Sequence, residues 1–292
     1  MAVAARAARA GRPASAGGRA AAVALACGLL TAAFFVVRFP VDRFRGALVE
    51  QLAAATGADA TIGALSARPG LGGLTLVAAP VSLGWPGGAR VELERAAVRP
   101  AWSPSWLRGR PALHVALQAR VGSLAGTFWP AEPLAFDGEL DDVALAELPP
   151  EILVLAEGVA LTGRLDADVV LEQRDGRLAG ELELEVADGS FSAPGSPVAV
   201  PFEALEADLD FADTGAIAVR TLRLEGPMVS GEASGEIGAA PSLEGAPLSL
   251  TGELRVTDPS LRGMLEPLGI TPDPEGRAKL RVGGTLVEPF LQ

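Results

Sequence analysis

Between Leu161 and Val186 apolar and polar residues alternate with a period of two. Leu161, Gly163, Leu165, Ala167 and Val169 fall on one side, Arg164, Asp166 and Asp168 on the other. Asp175-Gly176 supplies a tight turn, and the return run sets Leu178, Gly180, Leu182, Leu184 and Val186 against Glu181, Glu183 and Glu185. Successive strand residues point to opposite faces, so this pattern predicts an antiparallel hairpin with one apolar and one charged face. Asp188-Gly189 predicts a second turn.

The same alternation recurs along the chain. Leu205, Ala207, Leu209 and Phe211 alternate with Glu206, Asp208 and Asp210. Ile217 and Val219 lead to Leu222 and Leu224 with a slip of one residue, as a bulge produces. Gly231–Ile237, Leu250–Val256 and Ala278–Gly284 read as three further strands. Short turns separate the runs, which predicts a meander of antiparallel strands in one long twisted sheet or two stacked ones. Glycines at the inward positions 163, 180, 235 and 252 suit a sheet curled into a half-pipe, or reflect general glycine richness.

Two stretches break this period. Phe44, Leu48 and Leu52, with Val49, recur at helical spacing after Asp42, a candidate N-cap, and before the stop signal Thr56-Gly57. In Arg99–Pro111, Ser103-Pro104 reads as a helix start. Trp102, Trp106 and Leu107 then either cap one end of the sheet or form, with Arg108 and Arg110, an interfacial or partner-binding loop.

Ala20–Val37 is uncharged, preceded by Arg6, Arg9, Arg12 and Arg19 and followed by no carboxylate before Asp42. Such a helix covers roughly 27 Å, about the hydrocarbon thickness of a bilayer. The bulky end Phe34-Phe35-Val36-Val37 suits a retained anchor rather than a signal-peptide cleavage site. Cys27 follows Ala24-Leu25-Ala26 as in a lipoprotein, but ten uncharged residues come after it. The arginines predict a cytoplasmic N-terminus. The expected organisation is a basic cytoplasmic tail over 1–19, a transmembrane helix over 20–38, a juxtamembrane helix over 39–58 and an extracytoplasmic β-rich domain over 59–292. The fold class is mainly β: a long curved antiparallel sheet, half-pipe or sandwich-like, with few short helices behind one membrane span.

Beyond residue 40 the chain carries 36 acidic against 19 basic residues. That balance argues against nucleic-acid binding and against docking on an anionic lipid surface, which needs clustered Lys and Arg. Cys27 is the only cysteine, so the domain is held by apolar burial without disulfides. The chemical inventory is thin: one histidine, one lysine (Lys279) and no tyrosine. His114 sits in a strand pattern facing away from the apolar side. Asp141-Asp142 reads as a solvated turn, and Asp273-Pro274-Glu275-Gly276 lacks the spacing of a calcium loop. With no phosphate loop and no histidine cluster, the sequence predicts no catalytic, cofactor-binding or metal residues.

The order of these features resembles a known family. An anchor is followed by a helix ending in Thr56-Gly57, the strand around Ala60-Thr61-Ile62, and Trp106-Leu107-Arg108-Gly109-Arg110-Pro111 leading into a strand. Gly226–Ile237 and Gly284-Thr285-Leu286-Val287-Glu288-Pro289 close the chain. The layout is similar to the type II secretion system protein N (GspN) family, itself similar to AsmA-like inner-membrane proteins. The resemblance implies a non-enzymatic, single-pass inner-membrane component or assembly factor of the type II secretion system, with a periplasmic β-domain and other secretion-system subunits as partners. A sheet of ~200 residues, short for bridging a periplasm, favours this role. Its AsmA-like side implies phospholipid binding or transfer for outer-membrane biogenesis, in an apolar groove to which Leu165, Val169, Leu182 and Leu184 would belong.

Overall fold

The computed structural model describes residues 41–70, 73–86, 88–148, 160–174, 176–192, 199–240, 245–258, 261, 270–285 and 288–291. The expected membrane segment at 20–38 and the tail before it lie outside the described residues, as does Cys27.

A 3-10 turn over Val41–Phe44 leads into α1 (Arg45–Thr56). Phe44 occupies the N-cap position without a side-chain hydrogen bond, so the α-helix begins three residues after the expected Asp42 cap. Its end is as the sequence predicts. Gly57 adopts the left-handed conformation that glycine enters without strain, and its N–H donates to the Ala53 carbonyl. Leu48, Val49 and Leu52 are half-buried where α1 packs against the first strand.

Among the described residues fourteen strands follow: β1 (Asp59–Gly70), β2 (Gly73–Gly84), β3 (Arg90–Pro100), β4 (Leu113–Ala119), β5 (Gly122–Trp129), β6 (Leu134–Ala144), β7 (Ala160–Arg174), β8 (Arg177–Ser192), β9 (Val200–Phe211), β10 (Ile217–Glu225), β11 (Val229–Ile237), β12 (Leu248–Val256), β13 (Arg277–Gly284) and β14 (Pro289–Leu291). They form one antiparallel sheet in strict sequence order, each strand pairing with the next. The mainly β expectation therefore holds, as a single sheet rather than two stacked ones.

Two expected turns are bulges inside strands. At Asp188-Gly189 the β8 strand continues to Ser192; Asp188 takes a positive φ of 50°, and the register against β7 slips between Thr162 and Arg164. Gly189 has no room for a Cβ, because the Phe202 ring and the Thr162 carbonyl close over it. Asp141-Asp142 likewise lies within β6, where Asp142 has φ 53° and the register shifts between Leu140 and Val143. The slip expected in β10 is present between Val219 and Leu222.

The apolar side of the sheet gathers its buried residues in clusters. Leu145, Val186 and Phe202 form one, with Leu165 and Leu184 packed against it. Val229, Val256 and Leu261 form another, joined to the first through Leu224.

Candidate functional site

Strand register aligns the alternating faces across the whole sheet. One row of directly paired residues runs Ala67, Leu76, Val98, Val115, Gly126, Gly138, Val169, Leu182, Leu209, Val219, Gly235, Leu250, Val282, Leu291, one from each strand in order. Every member is Ala, Val, Leu or Gly. The neighbouring row, from Leu65 in β1 through Leu124, Leu140, Leu184 and Leu222 to Leu280 in β13, also contains no polar residue. At 4.7–4.9 Å between strands, the lane measures about 60 Å from edge to edge.

The lane is only partly covered. Leu182, Leu184, Leu209 and Leu250 remain half-buried, whereas Val219 keeps 4% of its surface and Val186 2%. A cavity of about 310 Å³ opens on the same side, at the lower end of the size range of small-molecule sites. Leu161 of β7, Phe191 of β8, Phe202 of β9, Leu222 of β10, Leu250 of β12 and Val282 of β13 all line it. Side chains from strands six positions apart in the sheet thus bound one space.

The four groove residues read from the sequence occupy this side in two different settings. Val169 and Leu182 face one another directly in the first row. Leu165 and Leu184 pack into the cluster around Val186 and Phe202. None of the four lines the cavity, which lies toward β10–β13. Leu250 and Leu280, both in its lining, were visible as inward positions in their strand patterns. Phe191 and Phe202 were not, since each stands beside a bulge or strand start that obscures the alternation.

The opposite face carries charge. Glu139, Asp168, Glu183 and Asp208 stand in one row across β6–β9, with Asp166, Glu185 and Glu206 in the next. Glu181, Glu183 and Glu185 are exposed, as expected of a ladder of like charges. The β10 bulge adds Arg220 to this face, where its guanidinium donates to Asp210 at 2.8 Å and Glu181 at 3.0 Å and lies 3.8 Å from Asp208. Arg164 pairs with Asp142 lower on the same face. Among the described residues no group of three or more His, Cys, Asp or Glu side chains has the geometry to hold a metal ion. His114, on the charged side of β4 opposite Thr127, is held below its usual pKa range by partial burial and, secondarily, by the Arg99 guanidinium.

The tryptophan-arginine stretch forms a 3-10 helix, Pro104–Arg108, between β3 and β4. Ser103 caps it, accepting from the Ser105 N–H, and left-handed Gly109 ends it, as Ser103-Pro104 predicted. The Trp102 and Trp106 rings lie 4.7 Å apart, and the Trp106 indole N–H donates to the Ala101 carbonyl at 2.8 Å. Trp106 is half-buried, but Trp102 exposes 66% and Leu107 92% of its surface. Arg108 is exposed, while Arg110 turns back to donate to the Pro133 carbonyl at 3.0 Å and approaches Glu172. The four residues thus divide between a base that packs on the sheet and a tip that projects from it. Comparison with protein-family models, curated proteins and solved structures gives no match for this chain.

Proposed function

We propose that the protein is a non-enzymatic component of the bacterial envelope that holds phospholipid acyl chains along the apolar side of a half-pipe-shaped sheet. The observation that carries this reading is the unbroken row of apolar residues from Ala67 to Leu291, half-open to solvent. A sheet whose function was only to support itself would bury that face against a second layer. Among the described residues the strands form one sheet, and a cavity lined by side chains of β7–β13 opens on this side. Glycines such as Gly163, with φ 133° and Val186 pressed against it, allow the close backbone approach that curvature needs. The resemblance to AsmA-like proteins agrees with this assignment, with an inner-membrane anchor over 20–38 and the sheet in the periplasm. Loss of the protein is then expected to raise outer-membrane permeability while secretion of exported enzymes continues.

A second reading follows the GspN resemblance: a scaffold or assembly factor of the type II secretion system. The linear strand order favours it in one respect, since among the described residues β1 and β14 each pair on one side only, and a partner's strand can add to the other. On that reading deletion abolishes export of secreted enzymes and leaves permeability unchanged. The two deletion phenotypes separate the readings.

A further inference from the structure

The strand directions collect arginines that are far apart in sequence onto one edge of an otherwise acidic domain. The β1–β2 and β7–β8 turns and the β3–β4 connection all lie at the sheet edge opposite α1. Along β1–β8 Arg68, Arg99, Arg108, Arg110, Arg174 and Arg177 stand there against Glu132 and Glu172 among the described residues, while Asp213, beside Arg174 and accepting from Arg177 through its backbone carbonyl, Glu236 and Glu288 occupy the rest of that edge over β9–β14. Arg110 reaches across the strand ends to Glu172, which also pairs with Arg174 at 2.6 Å, so the basic groups of β3–β4 and β7–β8 are contiguous. From the β3–β4 connection on this edge project Trp102, just before the 3-10 helix, and Leu107 within it, two of the most exposed large apolar side chains described.

We infer that this tip docks on an anionic phospholipid surface, with Leu107 and Trp102 entering the interface and Arg108 and Arg174 meeting lipid phosphates. The size and shape of the patch select this occupant over a protein. A stable protein interface buries about 1,200–2,000 Å² with a central packed cluster. Two projecting side chains on an arginine-bearing edge provide far less, yet they match what interfacial attachment requires: a few apolar groups, an amphipathic indole and basic residues. The acidic balance of the whole chain does not oppose it, because screening confines the interaction to charges within about 8–10 Å of the surface. The inference is independent of acyl binding in the half-pipe, which is read by a different measurement.

The test uses the full chain carrying Cys27→Ala and Leu107→Cys, labelled with an environment-sensitive fluorophore and reconstituted into phosphatidylcholine vesicles with or without phosphatidylglycerol. Glu183→Cys, exposed on the charged face in the middle of the sheet, is the reference position. Docking predicts several-fold stronger quenching by spin-labelled lipid at position 107 than at 183, only with phosphatidylglycerol present. Each arginine near an anionic surface is worth roughly fivefold in the docking equilibrium. Arg108→Glu with Arg174→Glu is therefore expected to bring quenching at 107 to the reference level, as is high salt. Equal quenching at the two positions, or quenching indifferent to phosphatidylglycerol, overturns the inference. Protection of position 107 that appears only on adding soluble periplasmic protein also overturns it, in favour of a protein partner.

Discussion

Gly126 in β5 lies directly opposite Gly138 in β6, and the Phe136 ring closes over both. A Cβ on Gly126 would stand 2.7 Å from the Asp137 carbonyl oxygen and 2.8 Å from the Gly138 Cα. Glycine in a strand interior ordinarily weakens it by about 0.5–1 kcal/mol relative to alanine. Here the backbone itself occupies the space, so Gly126→Ala is expected to destabilise by about 1–3 kcal/mol, as overpacking does. A lowered urea midpoint is the expected result; a raised one would show that the two strands have room to part.

Arg220 holds together the densest part of the acidic face. Its replacement by Gln leaves Glu181, Asp208 and Asp210 facing one another without a cation between them. Glu181 and Arg220 are exposed and the two aspartates half-buried, so the effect is electrostatic and largely screened. Thermal unfolding of Arg220→Gln is expected at lower temperature than wild type in low salt, with the gap closing as sodium chloride is added. A gap independent of salt would mean that Arg220 acts through packing.

Phe202 links the apolar side to its best-buried cluster. It retains 3% exposure, packs with Leu145 and Val186, and its ring covers Gly189. Truncation of a buried phenylalanine removes its transfer free energy and leaves a cavity, together about 3–5 kcal/mol. Phe202→Ala should therefore unfold at markedly lower denaturant, with Phe202→Leu between it and wild type.

His114 gives the fold a defined pH response. Partial burial and Arg99 lower its pKa in the folded chain, while the unfolded chain titrates near 6.5. The neutral imidazole therefore stabilises the fold fully above pH ~6.5, and that contribution is lost as pH falls through the lower folded value. Denaturant midpoints measured from about pH 8 down to about pH 5 should fall less in His114→Gln than in wild type. Asp273, lowered chiefly by the backbone hydrogen bond from Arg277, acts below its ordinary value of 3.8 and so outside that window.

Much of this was legible strand by strand. The β7–β8 hairpin, the slip in β10 and the inward positions of β11–β13 all follow from alternation with a period of two. What alternation cannot show is whether inward positions of successive strands fall into one row, because that depends on register. Bulges decide it: the extra residues near Asp142 and Arg220 bring the apolar faces of β6 and β10 back into phase with their neighbours. Asp188-Gly189 looked like a turn for the same reason, since a positive-φ Asp before glycine serves a bulge as well as a hairpin. The basic edge was hidden more deeply. Arg68, Arg108 and Arg174 are far apart in the chain, and only the strand directions bring their ends together.

The central claim is that acyl chains lie on the apolar row, and site-specific photo-crosslinking in native membranes tests it most directly. A photoreactive residue in place of Leu182, on the apolar row, is compared with one in place of Glu183, its neighbour on the charged face, in the full chain. The account predicts phospholipid adducts from position 182, and from position 250 on the same row, with none from 183. Absence of adducts at 182 and 250, or equal yields at 182 and 183, would contradict it.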